Sequence, residues 1–316
     1  MKREDGRDIF WVDAHCDALS RAVAQESLVK NSGQFDLVRA QGNGSGAQVL
    51  ALFPGENRPR YEQVEAQLAL VEKALDETGL PLIRTGAALR ALRDADAFGL
   101  LLGLEGADAL EGDFARMEAV FARGVRLLGL TWNWDNAFCF SCVGDTDSAR
   151  APGLTALGRD GVRRWEALGG LIDVSHASER GFWDAMEVCG KPVIASHSCC
   201  GALRAHRRNL TDAQIRALAG KGCVMGINFC PAFLREDGKT SLDDVVRHIL
   251  HAVEVGGEDM VGLGSDFDGI GEAPEGLCGV EALPALIPAL ERAGLPGRVI
   301  EKVCGGNFCR VLTNSL

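Results

Sequence analysis

Short runs of apolar residues recur along the chain, and each is followed by glycine or by polar residues. The runs are residues 9–13, 48–53, 100–104, 125–130, 171–174, 192–195, 223–228 and 260–264. Apolar runs of this length, rich in β-branched residues and bounded by turn residues, are typical of buried strands. The pattern therefore predicts eight β-strands.

Between most of these runs the apolar residues recur at three- and four-residue spacing, which is typical of helices with one buried face. In residues 61–77, for example, Val64, Leu68, Val71 and Leu75 share one face. The other predicted helices are residues 157–168, 178–189, 211–221 and 242–255. Residues that favour helix N-termini precede or open several of them, namely Thr155, Ser178, Thr211 and Ser241.

Strands that alternate with helices predict a parallel sheet covered by helices. Eight repeats in 316 residues fit a closed (β/α)8 barrel, and we expect a single domain over residues 1–316. An open doubly wound sheet is the alternative, but it usually has a glycine-rich turn after its first strand, and residues 13–17 contain no glycine. Residues 41–46 are expected to form a turn before the second strand, and residues 305–308 a turn before a last short helix.

Composition narrows the class of protein. Hydrophobic residues make up 47% and charged residues 24%, which is typical of a globular protein. The formal charge of −11 argues against a nucleic-acid partner, because such binding depends on neutralising phosphates. No apolar run approaches the roughly 18 residues of a spanning helix, and the charged residues 1–8 do not resemble a secretory signal. We therefore expect a cytoplasmic protein with no membrane partner, whose eleven cysteines are free thiols.

Several residues with metal-binding or acid–base chemistry follow the predicted strands. In barrels of this type the active site forms at the carboxyl ends of the strands. We therefore expect one pocket to collect the residues His15, Asp17, Glu105, His176, His197 and Asp266. The chain has six histidines, and the remaining three, His206, His248 and His251, are expected to lie elsewhere, the last two in a helix.

Imidazoles and carboxylates in this combination suit zinc or a similar divalent metal. His15 and Asp17 are alternate residues at a strand end, so both side chains can reach one ion. Five protein ligands exceed what one tetrahedral zinc needs, but they serve two ions when a carboxylate bridges them. Glu105, beside Gly106, is the expected bridge. Taken singly, each residue could instead cap a turn or end a strand.

Ten segments around these residues resemble the membrane dipeptidase (renal dipeptidase) family of zinc peptidases, over nearly the whole chain. They are VDAHCD at 12–17, GLEG at 103–106, RLLGLT at 126–131, GLT at 153–155, LIDVSH at 171–176, PVIASHS at 192–198, RRN at 207–209, GINF at 226–229, GLGSDFDG at 262–269 and GGNF at 305–308. The segments around the two strand-end histidines are the most specific.

The resemblance implies a barrel of the metal-dependent hydrolase type that binds two zinc ions and hydrolyses dipeptides with metal-activated hydroxide. It assigns His15 and Asp17 to one ion, His176 and His197 to the other, and Glu105 to both. It also implies that Asp266 is the catalytic aspartate and that Arg208 binds the substrate's C-terminal carboxylate. The sequence leaves open whether a D-residue is accepted at the C-terminal position, whether zinc, cobalt or manganese is the native metal, and whether the protein is a homodimer.

One position departs from the family. Members such as the renal enzyme have histidine within a Thr-His-Asn motif after the fourth strand, where this chain has Thr131, Trp132 and Asn133. The indole of Trp132 can donate a hydrogen bond but cannot titrate, so we expect it to contact the substrate and steady an oxyanion. Two alternatives stay open. One is an amidohydrolase for N-acyl amino acids, lactones or cyclic amides, and the other is a catalytically impaired metal-binding homologue.

Overall fold

Eight parallel strands form a closed barrel in chain order, so the (β/α)8 prediction is confirmed. The computed structural model describes residues 9–24, 26–55, 60–144 and 151–316. The strands are β1 (Trp11–Asp13), β2 (Gly46–Leu52), β3 (Phe98–Leu104), β4 (Val125–Gly129), β5 (Leu171–Asp173), β6 (Ile194–Ser198), β7 (Val224–Ile227) and β8 (Val261–Leu263). The pairing of Asp13 with Leu263 joins β1 to β8 and closes the barrel. Residues 1–8, on which the expectation about export depends, lie outside the described residues.

Helices cover the outside of the barrel. They are α1 (Ala18–Val23), α2 (Leu37–Gly42), α3 (Arg60–Thr78), α4 (Gly86–Asp94), α5 (Phe114–Ala122), α6 (Ala156–Leu168), α7 (Glu179–Val188), α8 (Asp212–Gly220), α9 (Pro231–Leu234), α10 (Leu242–Gly256), α11 (Leu286–Arg292), α12 (Gly297–Glu301) and α13 (Asn307–Ser315). As predicted, Thr155, Ser178 and Thr211 cap α6, α7 and α8, because each side chain accepts a backbone N–H of the first turn. Among the described residues, no helix is long and apolar enough to cross a membrane.

Several predicted strand boundaries are shifted by one or two residues, and three local predictions differ in kind or by more than that. Strand β6 runs to Ser198 instead of ending at Ala195, so His197 lies within the strand. Residues 41–46 are only partly a turn, because α2 extends to Gly42. Residues 305–308 are helical, since a π-helical turn over Lys302–Gly306 runs directly into α13. Gly305 makes this packing feasible, because a side chain there would collide with the backbone of β1 and the residue before it.

The inside of the barrel is apolar at the amino ends of the strands. Inward-facing residues such as Val12, Leu171 and Ile194 pack there with Phe308 and Leu312 of α13. Alternate residues of a strand face the same side, and two residues after Leu171 and Ile194 the inward positions are polar, namely Asp173 and Ser196. The apolar layer therefore closes the amino end of the barrel and leaves the polar residues at the carboxyl end.

Candidate metal centre

The five predicted ligands lie together around the carboxylate of Glu105. Its Oε1 is 3.1 Å from Nε2 of His176 and 3.5 Å from Nε2 of His197. It is also 3.6 Å from Nε2 of His15, which in turn is 3.4 Å from Oδ2 of Asp17. All five side chains are buried. The structure therefore brings together residues that are up to 182 positions apart in the sequence.

The candidate ligand atoms form three overlapping groups, within each of which the atoms lie within 4.8 Å of one another. The first group is His15, Asp17 and Asp266, the second is Glu105, His176 and His197, and the third combines His15 and His197 with Asp173. In the second group Nε2 of His176 is 3.0 Å from Nε2 of His197. The first two groups keep His15 and Asp17 apart from His176 and His197, as the predicted assignment does, but Glu105 falls in only one of them.

Two buried atoms of the centre show that these residues fit a cation. Nε2 of His15 and Oδ1 of Asp17 are buried and have no hydrogen-bond partner within the described part of the chain. Buried polar atoms normally have a partner, and leaving one without any costs about 1–3 kcal/mol. A bound cation would satisfy both atoms, and imidazole nitrogens with carboxylate oxygens are the ligands that zinc prefers.

The acidic side chains and His15 influence one another strongly. Burial opposes ionisation of Glu105, but the neighbouring His15 and the other two imidazoles beside it hold the pKa of Glu105 well below its usual range. Burial likewise disfavours protonated His15, yet the charges of Glu105 and Asp17 raise its pKa well above the ordinary value. Burial and the charge of Glu105 raise the pKa of Asp17 well above its usual range. The carboxylates of the centre therefore favour a positive charge beside them.

The other two imidazoles are held neutral. Burial and the positive charge of Arg208 lower the pKa of His176 to about 4. Burial and the positive charge of His15 lower the pKa of His197 well below its ordinary value. A neutral imidazole keeps a lone pair on one ring nitrogen, which metal binding requires.

Asp266 reaches the centre through an unusual backbone conformation. Its φ of 63° is in the left-handed region, which is uncommon for a non-glycine residue and occurs often at functional sites. Its N–H donates to the carbonyl of His15, and its Oδ2 accepts a hydrogen bond from Nδ2 of Asn228 at 2.9 Å. Burial raises the pKa of Asp266. The carboxyl group is therefore held in place and is easier to protonate than an exposed aspartate.

Arg208 is buried beside the two neutral imidazoles. Its Nη1 donates to the carbonyl of Ser175, and its Nη2 donates to the carbonyl of His197 at 3.1 Å. Its Nε is buried and has no partner among the described residues. A guanidinium has five N–H donors, so Arg208 keeps donors that are free for an anion in the cavity.

Aromatic side chains surround Trp132, which lines the cavity. The ring of Trp132 lies 4.9 Å from that of Phe53, 4.5 Å from that of Trp134 and 6.1 Å from that of His176, between centroids. The guanidinium of Arg60 covers Trp134 at 4.2 Å. Trp132 therefore lies next to two aromatic side chains and to the imidazole of His176.

A cavity of about 640 Å³ opens over these groups. Of the predicted site residues, Asp17, Glu105, Trp132, His176, Arg208 and Asp266 line it. His15 and His197 lie directly behind Glu105. A volume of this size holds a small ligand and not a folded protein segment.

His206 was expected to lie away from the pocket, and this prediction is wrong. The side chain lines the cavity and stacks on Phe233 with the ring centroids 4.6 Å apart. Its position two residues before Arg208 was the available signal. His248 and His251 lie in α10 as predicted. The sequence also assigned no role to three residues that lie beside the imidazoles on the side away from Glu105, namely Asn133, Asp173 and Ser196.

The alternative of a capping role does not describe Asp17, which precedes α1 but makes no side-chain capping hydrogen bond. The nearby Asp268 accepts the N–H groups of Gln34 and Phe35, so it holds the loop that contains them.

The chain matches a known protein family over nearly its whole length. The family described as membrane dipeptidase (peptidase family M19) matches residues 6–315. An uncharacterized protein in the pqqA 5′ region of Klebsiella pneumoniae is 39% identical over 256 residues, which are 78% of this chain and 94% of that protein. An uncharacterized dipeptidase of Schizosaccharomyces pombe is 37% identical over 227 residues, which are 71% of this chain but 55% of the longer yeast protein.

A solved structure shares the fold. It is a metallopeptidase from Rhodobacter sphaeroides liganded with a phosphinate mimic of the dipeptide L-Ala-D-Ala. The TM-score is 0.88 at 28% identity, and the superposition covers 98% of this chain and 100% of that one. With the barrel, the groups of ligand atoms and the match over residues 6–315, the chain belongs to the membrane dipeptidase family, peptidase family M19.

Proposed function

We propose that this metal-dependent dipeptidase binds two divalent ions, zinc being the expected metal, and hydrolyses the peptide bond of free dipeptides. The observation that carries the proposal is the gathering of three imidazoles around Oε1 of Glu105, with Asp17 beside one of them. We assign His15 and Asp17 to one ion, His176 and His197 to the other, and Glu105 to both. When bound, such ions supply Lewis acidity and a water of lowered pKa.

Asp266 is proposed as the proton carrier. Its carboxyl group lies in the same group of ligand atoms as His15 and Asp17 and lines the cavity. It takes a proton from the attacking water and delivers it to the nitrogen of the leaving amine. The hydrogen bond from Asn228 keeps the carboxylate oriented for this exchange.

Arg208 is proposed to select substrates with a free carboxylate at the C-terminal residue. Its Nε and the remaining Nη hydrogens can form a forked pair with a carboxylate, while its bonds to Ser175 and His197 hold the guanidinium in place. An internal peptide bond has no carboxylate at this distance, so a dipeptide fits and a long peptide does not.

Trp132 is proposed to contact the scissile carbonyl in place of the family's histidine. Its indole N–H can donate to the oxygen that becomes negative during attack, and such donors stabilise the transition state. The ring cannot carry a proton, so Asp266 does all of the proton transfer on this side of the substrate.

One similar structure supports a proposal about the stereochemistry of the substrate. The Rhodobacter sphaeroides protein binds a mimic of L-Ala-D-Ala, and we extend acceptance of a D-residue at the C-terminal position to this chain. A homodimer stays a prediction that sedimentation can test.

The test combines metal analysis with a small panel of substrates. We expect two equivalents of divalent metal per chain, and turnover of L-Ala-L-Ala and L-Ala-D-Ala but not of tri-alanine. N-acetyl-alanine, a lactone and a cyclic amide serve as the controls for an amidohydrolase of other specificity. Turnover confined to those controls would overturn the proposal, as would a protein that contains metal but cleaves nothing.

A further inference from the structure

The side of each metal-facing imidazole that points away from Glu105 also has a defined partner. Nδ1 of His197 lies 2.8 Å from Oγ of Ser196, and Nδ1 of His15 lies 3.4 Å from the same oxygen. His15 and His197 stack with their ring centroids 3.7 Å apart. One serine hydroxyl therefore faces two imidazoles that the proposed function assigns to different ions.

Ser196 is itself held by a buried carboxylate. Its hydroxyl donates to Oδ2 of Asp173, whose Oδ1 accepts the N–H groups of Ser175 and Ser196, both at 3.0 Å. Asp173 and Ile194 are the one residue pair of the ladder between β5 and β6, so this carboxylate joins the two strand ends beyond it. Because the hydroxyl proton of Ser196 is donated to Asp173, Oγ of Ser196 can only accept hydrogen bonds from the imidazoles.

The third imidazole has a different partner. Nδ1 of His176 lies 3.0 Å from Oδ1 of Asn133, which follows β4. An amide oxygen can only accept, so Nδ1 of His176 carries a proton and Nε2 keeps the lone pair. Asn133 thus serves one imidazole, whereas Ser196 serves two.

We propose that Ser196, oriented by Asp173, is a positioning residue shared by the two metal positions. By accepting the Nδ1 protons of His15 and His197, it directs the Nε2 lone pairs of both toward Glu105. The inference rests on the ligand assignment of the proposed function. It implies that loss of one hydroxyl weakens both ions, because partners behind a ligand set its tautomer and ring orientation.

The barrel contains a matched control on the opposite side of the site. The N–H and hydroxyl of Ser265 donate to Asp13 at 2.8 Å and 2.6 Å, as those of Ser196 donate to Asp173. Within the described part of the chain, however, the other hydrogen-bond partners of Oγ of Ser265 are backbone groups, namely the carbonyl of His15 and the N–H of Phe267. Ser265→Ala therefore removes a similar buried serine–aspartate contact without touching an imidazole nitrogen.

The experiment compares Ser196→Ala, Asn133→Ala and Ser265→Ala with the wild-type protein loaded with zinc. Transfer of zinc to a chromophoric chelator gives the affinity for each equivalent, and the visible spectrum of the cobalt-loaded protein reports the geometry at the ligands. We expect Ser196→Ala to weaken both equivalents about 10- to 100-fold and to change the cobalt spectrum. Asn133→Ala should weaken one equivalent, and Ser265→Ala should weaken neither.

Asp173→Asn is the second variant if Ser196→Ala does not fold, and we expect it to weaken both equivalents as well. Weakening of a single equivalent by Ser196→Ala, or values equal to those of Ser265→Ala, would overturn the inference and leave the proposed function intact. A wild-type protein that binds no zinc would overturn the proposed function and, with it, this inference.

Discussion

Nη2 of Arg208 donates a hydrogen bond to the backbone carbonyl of His197 at 3.1 Å. The residue proposed to bind the substrate's carboxylate is therefore fastened to the strand that carries a metal-facing imidazole. In the proposed function this contact would fix the distance between the substrate's C-terminal carboxylate and the metal-facing imidazoles, and so link the length of the substrate to the position of its scissile bond.

Arg208→Lys should lower kcat/KM for dipeptides about 10- to 100-fold, because the charge stays but the fork of donors is lost, and charge-assisted hydrogen bonds contribute about 1.5–3 kcal/mol. Steady-state kinetics on L-Ala-L-Ala would measure the loss. The control is the dipeptide amide, on which wild-type and variant enzymes should differ little. Equal sensitivity of the acid and the amide would contradict the carboxylate role.

Asp266→Asn should lower kcat by about 10²- to 10⁴-fold, the usual contribution of a positioned acid–base group. The amide keeps the size of the carboxylate but cannot accept a proton. Metal content, measured by elemental analysis, should remain at the wild-type value, which separates loss of proton transfer from loss of the centre. Full activity in this variant would show that another group carries the proton.

Trp132→Phe should lower kcat about 10²-fold while KM changes little, because the ring is kept and one oxyanion donor is removed. Trp132→His restores the residue found in the family and retains a donor, so it serves as the matched comparison. If Trp132→Phe and the wild type have the same kcat, the indole only lines the cavity wall.

Removal of metal by a chelator should abolish turnover and lower the thermal stability. A ligand present at about 1,000 times its Kd stabilises the folded state by about 4 kcal/mol, and this contribution disappears when it is removed. Added zinc should restore both properties.

Glu105→Gln should bind less metal even with zinc in excess, since the charge next to three imidazoles is gone. A variant that keeps two equivalents would refute the bridging role.

His248 provides a pH prediction that does not involve the metal centre. Burial lowers its pKa to about 4, against an opposing hydrogen bond to the carbonyl of Leu234. Between pH 6.5 and 4 the unfolded chain therefore binds the extra proton, so the free energy of unfolding falls as the pH falls, by about 3 kcal/mol in total. Above pH 6.5 this contribution is fully present.

Urea unfolding at pH 7, 5 and 4 would measure the slope for the wild type and for His248→Gln. The variant should show a shallower fall over this window, because its side chain does not titrate, while the contributions of the carboxylates are common to both proteins. Identical slopes would mean that His248 is protonated at its ordinary pKa in the folded state.

Most of the barrel could be predicted from the sequence because each element carries its own signal. Alternating apolar runs predicted the eight strands, and Thr155, Ser178 and Thr211 marked the starts of helices. The boundary of β6 was wrong because its last three residues, Ser196 to Ser198, are polar although they are buried. Burial of polar residues inside a barrel has no signal in hydrophobic periodicity.

The sequence by itself determined that polar residues follow buried parallel strands, and this is enough to predict that His15, Glu105 and His197 meet, since the carboxyl ends of parallel strands share one end of a barrel. Only the tertiary structure decided which atoms face each other there. Ser196 lies 181 positions from His15, and their contact depends on barrel closure and strand register. Hydrogen bonds need distances correct to a few tenths of an ångström, and local sequence preferences do not specify them.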